Sequence, residues 1–350
     1  MVAVWLAVIT IYTTCDDLTM EKQRLLRLLV LGSLLLGGCA TFMHAESMPG
    51  ATPNLPELPK LNQEQSIRDD IARSEEAIAL SARDMAEIAT QCADCATMLS
   101  EVADDAQTRL TVSGGMWEPW EGQQSGQFLP HPADVGEAPT TPKGLVGYMM
   151  GSAVAQLNDI VTYGSPDAST LSSLLAGRIA SALTLAKLYD VDVNEAVENL
   201  PKEALATSVS PTEISQSGVE ANEMHRAQSD VEDSIGEKAL FEYDCLTTAL
   251  GRSSLVRQHS DIETTLRMSL IERSQKLVEA VQSDSRSIRC MPSTSDSGEF
   301  MTQLVGTDLT LIESPDSRLR SLAREFLIDD VRTWNRVGEV PKVTPGMTEG

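Results

Sequence analysis

The six cysteines hold most of the chemistry this sequence offers, and their spacing sorts them. Cys92 and Cys95 form a CxxC motif in Gln91-Cys92-Ala93-Asp94-Cys95, while Cys245 and Cys290 stand apart from it and from each other. A CxxC pair supports thiol–disulfide exchange when its first cysteine begins a helix, where the dipole lowers the thiol pKa. The competing reading is structural, with disulfides in any of three connectivities for four cysteines. Zinc would want companion imidazoles, and His44, His131, His225 and His259 are scattered. The carboxylate pairs Glu75-Glu76, Asp104-Asp105 and Asp329-Asp330 read as solvated helix faces in so acidic a chain. No P-loop, HExxH, GxSxG turn or glycine-rich dinucleotide fingerprint occurs. These patterns assign no catalytic residue, no metal ligand and no cofactor.

The N-terminus carries different chemistry. Residues 20–39 read MEKQRLLRLLVLGSLLLGGC: Lys22, Arg24 and Arg27, then an apolar core from Leu28 to Leu36, then small residues before Cys39. That three-part order is an export signal, too short for a span of roughly 20 apolar residues. Leu36-Gly37-Gly38-Cys39 resembles the lipobox of bacterial lipoproteins. The resemblance implies cleavage before Cys39 and lipid on its thiol, so residues 1–38 are set aside as a signal region. Residues 1–19 hold a second apolar run followed by Asp16 and Asp17, upstream of the basic segment, which reads as translation starting at Met20 or as an unusually long signal region. Ala40 and Thr41 follow in place of the aspartate that retains such proteins at the inner membrane. The resemblance therefore implies the periplasmic face of the outer membrane, with the membrane met through the lipid. Each buried methylene of such an anchor contributes about 0.8 kcal/mol.

Loss of residues 1–38 removes Asp16, Asp17 and Glu21 along with three bases, so the net charge stays at −24. A surface that acidic repels nucleic acid and anionic headgroups. Few aromatics (4%) and abundant Ala, Leu, Ser and Glu favour helices over sheets. The expected fold class is mainly α, with helical hairpins or a bundle, one long coiled-coil-like helix and little or no β.

Residues 39–60 are proline-rich and read as a tether. Over 61–112, Ile71, Ser74, Ile78, Ser81, Met85, Ile88, Cys92, Cys95, Leu99, Val102 and Ala106 repeat at alternating spacings of three and four. This predicts one long amphipathic helix, capped by Asn62 with Gln65 in the capping-box position. Both CxxC cysteines would then lie roughly thirty residues into that helix, on its packing face, which favours structural cysteines over redox catalysis. Glycine and proline interrupt every period in 113–144, a long loop. Its Trp117 and Trp120, in MWEPWEG, are the candidates for stacking on a ligand or partner; a pair of this kind more often pins its loop to its own domain.

Residues 145–206 read as a small apolar helical core. Within it LAGRIASALTLAKLYDVDVNEAVEN resembles the helix-turn-helix of the all-α MazG-type nucleoside triphosphate pyrophosphatases, which hold Mg²⁺ with carboxylates in EExxE and ExxD arrangements. The corresponding stretches, GYMMGSAVAQLND and LLAGRIASA, carry Asp159 as their one carboxylate, so the resemblance implies a shared helical pattern without the activity.

Residues 207–292 form an expected hairpin. Ser210-Pro211-Thr212-Glu213 starts one helix, with a break near Gly236, and Ser260-Asp261-Ile262-Glu263 caps the other. In a straight hairpin Cys245 and Cys290 lie roughly 35 Å apart. Either the CxxC pair bonds locally and the others meet through a bent hairpin, or one helix is misplaced. Residues 293–350 hold Asp308–Ile312 as a short strand or loop, a last helix from Ser314-Pro315, and a tail.

The functional expectation is a lipid-anchored envelope protein working through contacts with envelope proteins, and not through nucleic acid. Two other classes stay open. A cell-wall hydrolase needs a cleft with convergent carboxylates, expected at the tryptophan loop. A thiol–disulfide protein needs Cys92 or Cys95 exposed.

Overall fold

A computed structural model describes residues 58–347, apart from 90–91, 93, 121–134, 201–220, 256–258, 282–283, 285, 287–289 and 291–295, with the side chains of 221–234 also excluded. The signal region, Cys39 and the proline-rich tether up to residue 57 lie outside these residues, as does the helix start expected at 210–213. Regular structure among the described residues is helical throughout, which bears out the mainly α class.

The stripe over 61–112 is two helices, α1 (Gln63–Ile88) and α2 (Cys95–Val112), and not one. Asn62 caps α1 as expected: its side chain accepts from the Gln65 backbone at 2.8 Å and its own N–H donates to Gln65 Oε1 at 3.1 Å. The chain leaves the helix at Ala89, re-enters at Cys95, and α2 packs back along α1. Folding the stripe on itself buries Ile71, Ile78, Met85, Leu99, Val102 and Ala106 together. A long helix against a separate partner would bury the same positions, so periodicity alone does not distinguish the two.

Three helices follow: α3 (Pro142–Tyr163), α4 (Ala168–Tyr189) and the short α5 (Val193–Glu198). Thr141 caps α3 with proline at the first helical position, and Asp190, in the left-handed region at φ 53°, closes α4. α3 and α4 pack on each other and form the centre of the core; α1 lies on α3 and α2 on α4. By length and composition α4 is apolar enough to cross a membrane, yet 78% of its apolar window is buried within the bundle.

The second half contains α6 (Ala221–Leu250), α7 (Ser260–Val278), α8 (Ser297–Ile312) and α9 (Ser317–Val337). α6 pairs with α7 and α8, α8 pairs with α9, and α8 and α9 join the two halves by packing on α4. Three local expectations change. α6 runs through Gly236 without a break. The capping box at 260–263 does not form: His259 precedes α7 without a side-chain cap, and Glu263 binds Arg267 at 2.8 Å through Nε. Asp308–Ile312 is the end of α8 and not a strand, because Asp296 caps a helix eleven residues upstream of Thr307, at Gly298 N (2.8 Å) and Glu299 N (3.2 Å).

After α9, residues 338–347 run back over the bundle as a strap. Ser173 Oγ donates to the Pro345 carbonyl at 2.8 Å, and Val340 is fully buried. Two glycines permit this path: a Cβ on Gly177 would meet the Lys342 carbonyl, and one on Gly306 would lie 2.9 Å from the Gly346 carbonyl.

Candidate functional site

The strap and α2 enclose a site whose foundation is a buried ionic network. Among the apolar residues at the middle of α4 sits Arg178, which is fully buried and cannot reach water. An unpaired guanidinium there would cost several kcal/mol, so the fold must supply partners. Glu75 of α1 supplies one: Arg178 Nε donates to Glu75 Oε1 at 2.8 Å. Its Nη1 donates to Gln156 Oε1 at 2.8 Å and Ser152 Oγ at 3.0 Å, both on α3. The second Glu75 oxygen faces Arg109 Nη2 of α2 at 3.0 Å. Arg109 Nη1 in turn donates to the Lys342 carbonyl at 2.6 Å and Ser181 Oγ at 3.3 Å. One network thus takes a member from each of α1, α2, α3 and α4, and from the strap.

The α6–α9 half contains a parallel arrangement. Arg273 of α7 is gripped by both oxygens of Asp330 of α9, with Nη2 to Oδ1 at 2.7 Å. Tyr243 of α6 donates to Asp308 Oδ1 of α8 at 2.5 Å, and Asp308 lies 3.7 Å from Arg273. The Arg273 guanidinium sits 4.6 Å from the Phe326 ring centroid. Burial, reinforced by the Asp330 charge, pushes the Asp308 carboxyl well above the usual carboxylate range against the pull of Arg273. Burial also raises the Tyr243 phenol, with the Asp308 charge adding to it. Both networks are sealed from solvent and read as structural.

The solvent-facing site lies over the first network. A cleft of about 490 Å³ opens between α2, α4, the end of α9 and the strap. α2 contributes Glu101 and Asp105, α4 contributes Ser181, Thr184 and Lys187, and α9 and the strap contribute Asn335, Glu339 and Lys342. Lys342 Nζ donates to Thr184 Oγ1 at 2.8 Å, which fixes the ammonium on the floor. Burial raises the Asp105 carboxyl, partly offset by Arg109 and Lys342 and reinforced by Glu101 and Asp104. Burial likewise lowers the Lys342 ammonium, opposed by Glu339 and Asp105. A half-buried acid and a half-buried amine in one cleft can hold a group carrying both charges.

Glu101, Asp105 and Glu339 line this cleft, while residues 121–134 of the tryptophan loop lie outside the described residues. Trp117 lies beside α1, where its backbone N–H donates to the buried Asp69 Oδ1 at 2.7 Å. Trp120 is half-buried. Cys39, the expected lipidation site, lies outside the described residues. Cys92 and Cys95 are bonded to each other with Cα atoms 5.3 Å apart, and Cys245 is bonded to Cys290 at 5.2 Å. The second bond is compatible with the helix ends because α7 stops at Val278, twelve residues before Cys290. Among the described residues no three of His, Cys, Asp or Glu gather where they would hold a metal ion.

Sequence reading placed Glu75 and Asp105 on solvated faces; Glu75 is fully buried and Asp105 half-buried. The signal for the network was the lone Arg178 in LAGRIASAL, since an arginine in an apolar helix demands a buried acid. Set against known protein families, curated proteins and solved structures, the chain matches none.

Proposed function

We propose that this chain is a lipid-anchored component of the bacterial envelope, on the periplasmic face of the outer membrane, serving as a structural or assembly protein. The observation that carries the reading is the bonding of both cysteine pairs, Cys92–Cys95 and Cys245–Cys290. Disulfides persist where the cytosolic reductants do not reach, which fits the export signal and lipobox at residues 20–39. Lipid on Cys39 holds the protein at the membrane, and the prolines that follow keep the bundle off it. The mixed-charge cleft supports action by contact: Glu101 and Asp105 receive a cationic group of a partner, Lys187 and Lys342 an anionic one.

Palmitate labelling of the wild type and of Cys39→Ala, with membrane fractionation of both, tests the address. Label on the wild type alone, in the outer-membrane fraction, supports it; label on neither protein overturns it. A photo-reactive residue replacing Lys187 on the exposed rim tests the mode of action. The expected result is one envelope protein cross-linked in cells and lost when Glu101 and Asp105 are both changed to Lys. Cross-linking indifferent to that reversal removes the cleft from the proposal.

A further inference from the structure

The break between α1 and α2 changes what the CxxC motif can do. Cys95 is the first residue of α2, and Cys92 lies in the preceding connection instead of on a helix packing face. The two sulfurs are in unlike surroundings: Cys92 is exposed, while Cys95 is only 2% exposed. An incoming nucleophile therefore reaches one sulfur of the bond and not the other.

The cross-link also has little structural work. It joins residues three apart at the end of a hairpin that α1 and α2 already hold by packing along each other. Loop closure constrains an unfolded chain more as the loop lengthens, so a bond of this span contributes least. Cys245–Cys290 is the contrast: it spans 45 positions, ties α6 to the chain beyond α7, and both its cysteines are half-buried. Beside the CxxC connection, the last residue of α1, Ile88, is 75% exposed, the largest exposure of any large apolar side chain among the described residues. It stands four positions before Cys92 in the sequence.

We propose that Cys92–Cys95 is an exchangeable disulfide that accepts electrons from a protein dithiol. A partner thiolate attacks Cys92 Sγ, forming a mixed disulfide and breaking the Cys92–Cys95 bond, and Cys95 leaves as the thiolate. The position of Cys95 at the start of α2 favours that leaving group through the helix dipole. The partner's second thiolate then attacks the partner sulfur of the mixed disulfide and releases Cys92. Two electrons pass from the dithiol to the cysteine pair, the dithiol becomes a disulfide, and its two protons end on Cys92 and Cys95. A second protein disulfide, of higher potential, returns the pair to the bonded state by the reverse sequence. This activity does not depend on the lipid anchor, and its test uses the full chain purified in detergent.

The oxidised, folded wild type is incubated with increasing dithiothreitol, quenched with alkylating reagent, and each cysteine is read by peptide mass spectrometry. The expected result is reduction of Cys92–Cys95 at about tenfold lower dithiothreitol than Cys245–Cys290. Glutathione disulfide added to Cys95→Ser should then form a mixed disulfide on Cys92, whereas Cys92→Ser should leave Cys95 unmodified without denaturant. Equal resistance of the two disulfides in the wild type overturns the proposal, and so does glutathione found on Cys95 in preference to Cys92. The wild-type comparison stands even where a variant does not fold.

Discussion

Arg109 donates to the backbone carbonyl of Lys342 at 2.6 Å, across 233 positions of sequence. The bond ties the strap to the same guanidinium that faces Glu75, so the roof of the cleft and the buried network are one unit. Loss of any charged member should be felt at the cleft as well as in stability.

Glu75→Ala leaves Arg109 and Arg178 without their shared carboxylate in a sealed interior. The expected loss is about 3–5 kcal/mol, measured by urea denaturation. Simultaneous replacement of Glu75, Arg109 and Arg178 by Met should recover most of it. Glu263→Ala, which removes a partly exposed ion pair to Arg267 on α7, is expected to cost under about 1 kcal/mol.

Gly177→Ala directs a methyl group at the carbonyl of Lys342, with the Val343 carbonyl 2.8 Å away. Backbone cannot yield as a flexible side chain does, so the strap must lift. A loss of about 1–3 kcal/mol is expected. Limited proteolysis should cut the variant within 338–347 faster than the wild type.

Asp308 gives stability a pH dependence of defined sign. Its folded-state pKa is raised from the ordinary 3.8, first by burial and then by Asp330, with Arg273 opposing. Between the unfolded and folded values the folded chain binds the extra proton, so this contribution is fully present below the unfolded value and is lost as pH rises through the folded one. Asp308→Asn still offers Tyr243 an acceptor and cannot ionise. As pH rises above the ordinary carboxylate range, urea midpoints should fall more steeply for the wild type than for Asp308→Asn. Parallel profiles would show that Asp308 carries no proton of its own into the fold.

The two disulfides should differ in stability as they do in access. Replacing both Cys245 and Cys290 by Ala is expected to cost about 4 kcal/mol, and replacing both Cys92 and Cys95 about 2 kcal/mol, on loop-closure entropy. Thermal or urea denaturation of the two double variants reads the difference directly.

By itself the sequence determined the helical class, the positions that face the core and several helix starts. These are local: the spacing of Ile71, Ile78, Met85, Leu99 and Val102 specifies a face, and Asn62 with Gln65 specifies a cap, whatever the distant chain does. It did not determine that the face folds back on itself at 89–94, because a hairpin and a long helix bury the same stripe. The same ambiguity hid the exposure of Cys92, which depends on where α1 stops. Glu75 and Asp105 were misread for a related reason. A carboxylate's surroundings are set by whichever residues the fold brings to it, and here those are Arg109 on another helix, Arg178 about a hundred positions on, and a strap from the far end of the chain. Local pattern decides which way a side chain faces along its own helix; only tertiary packing decides what it meets there.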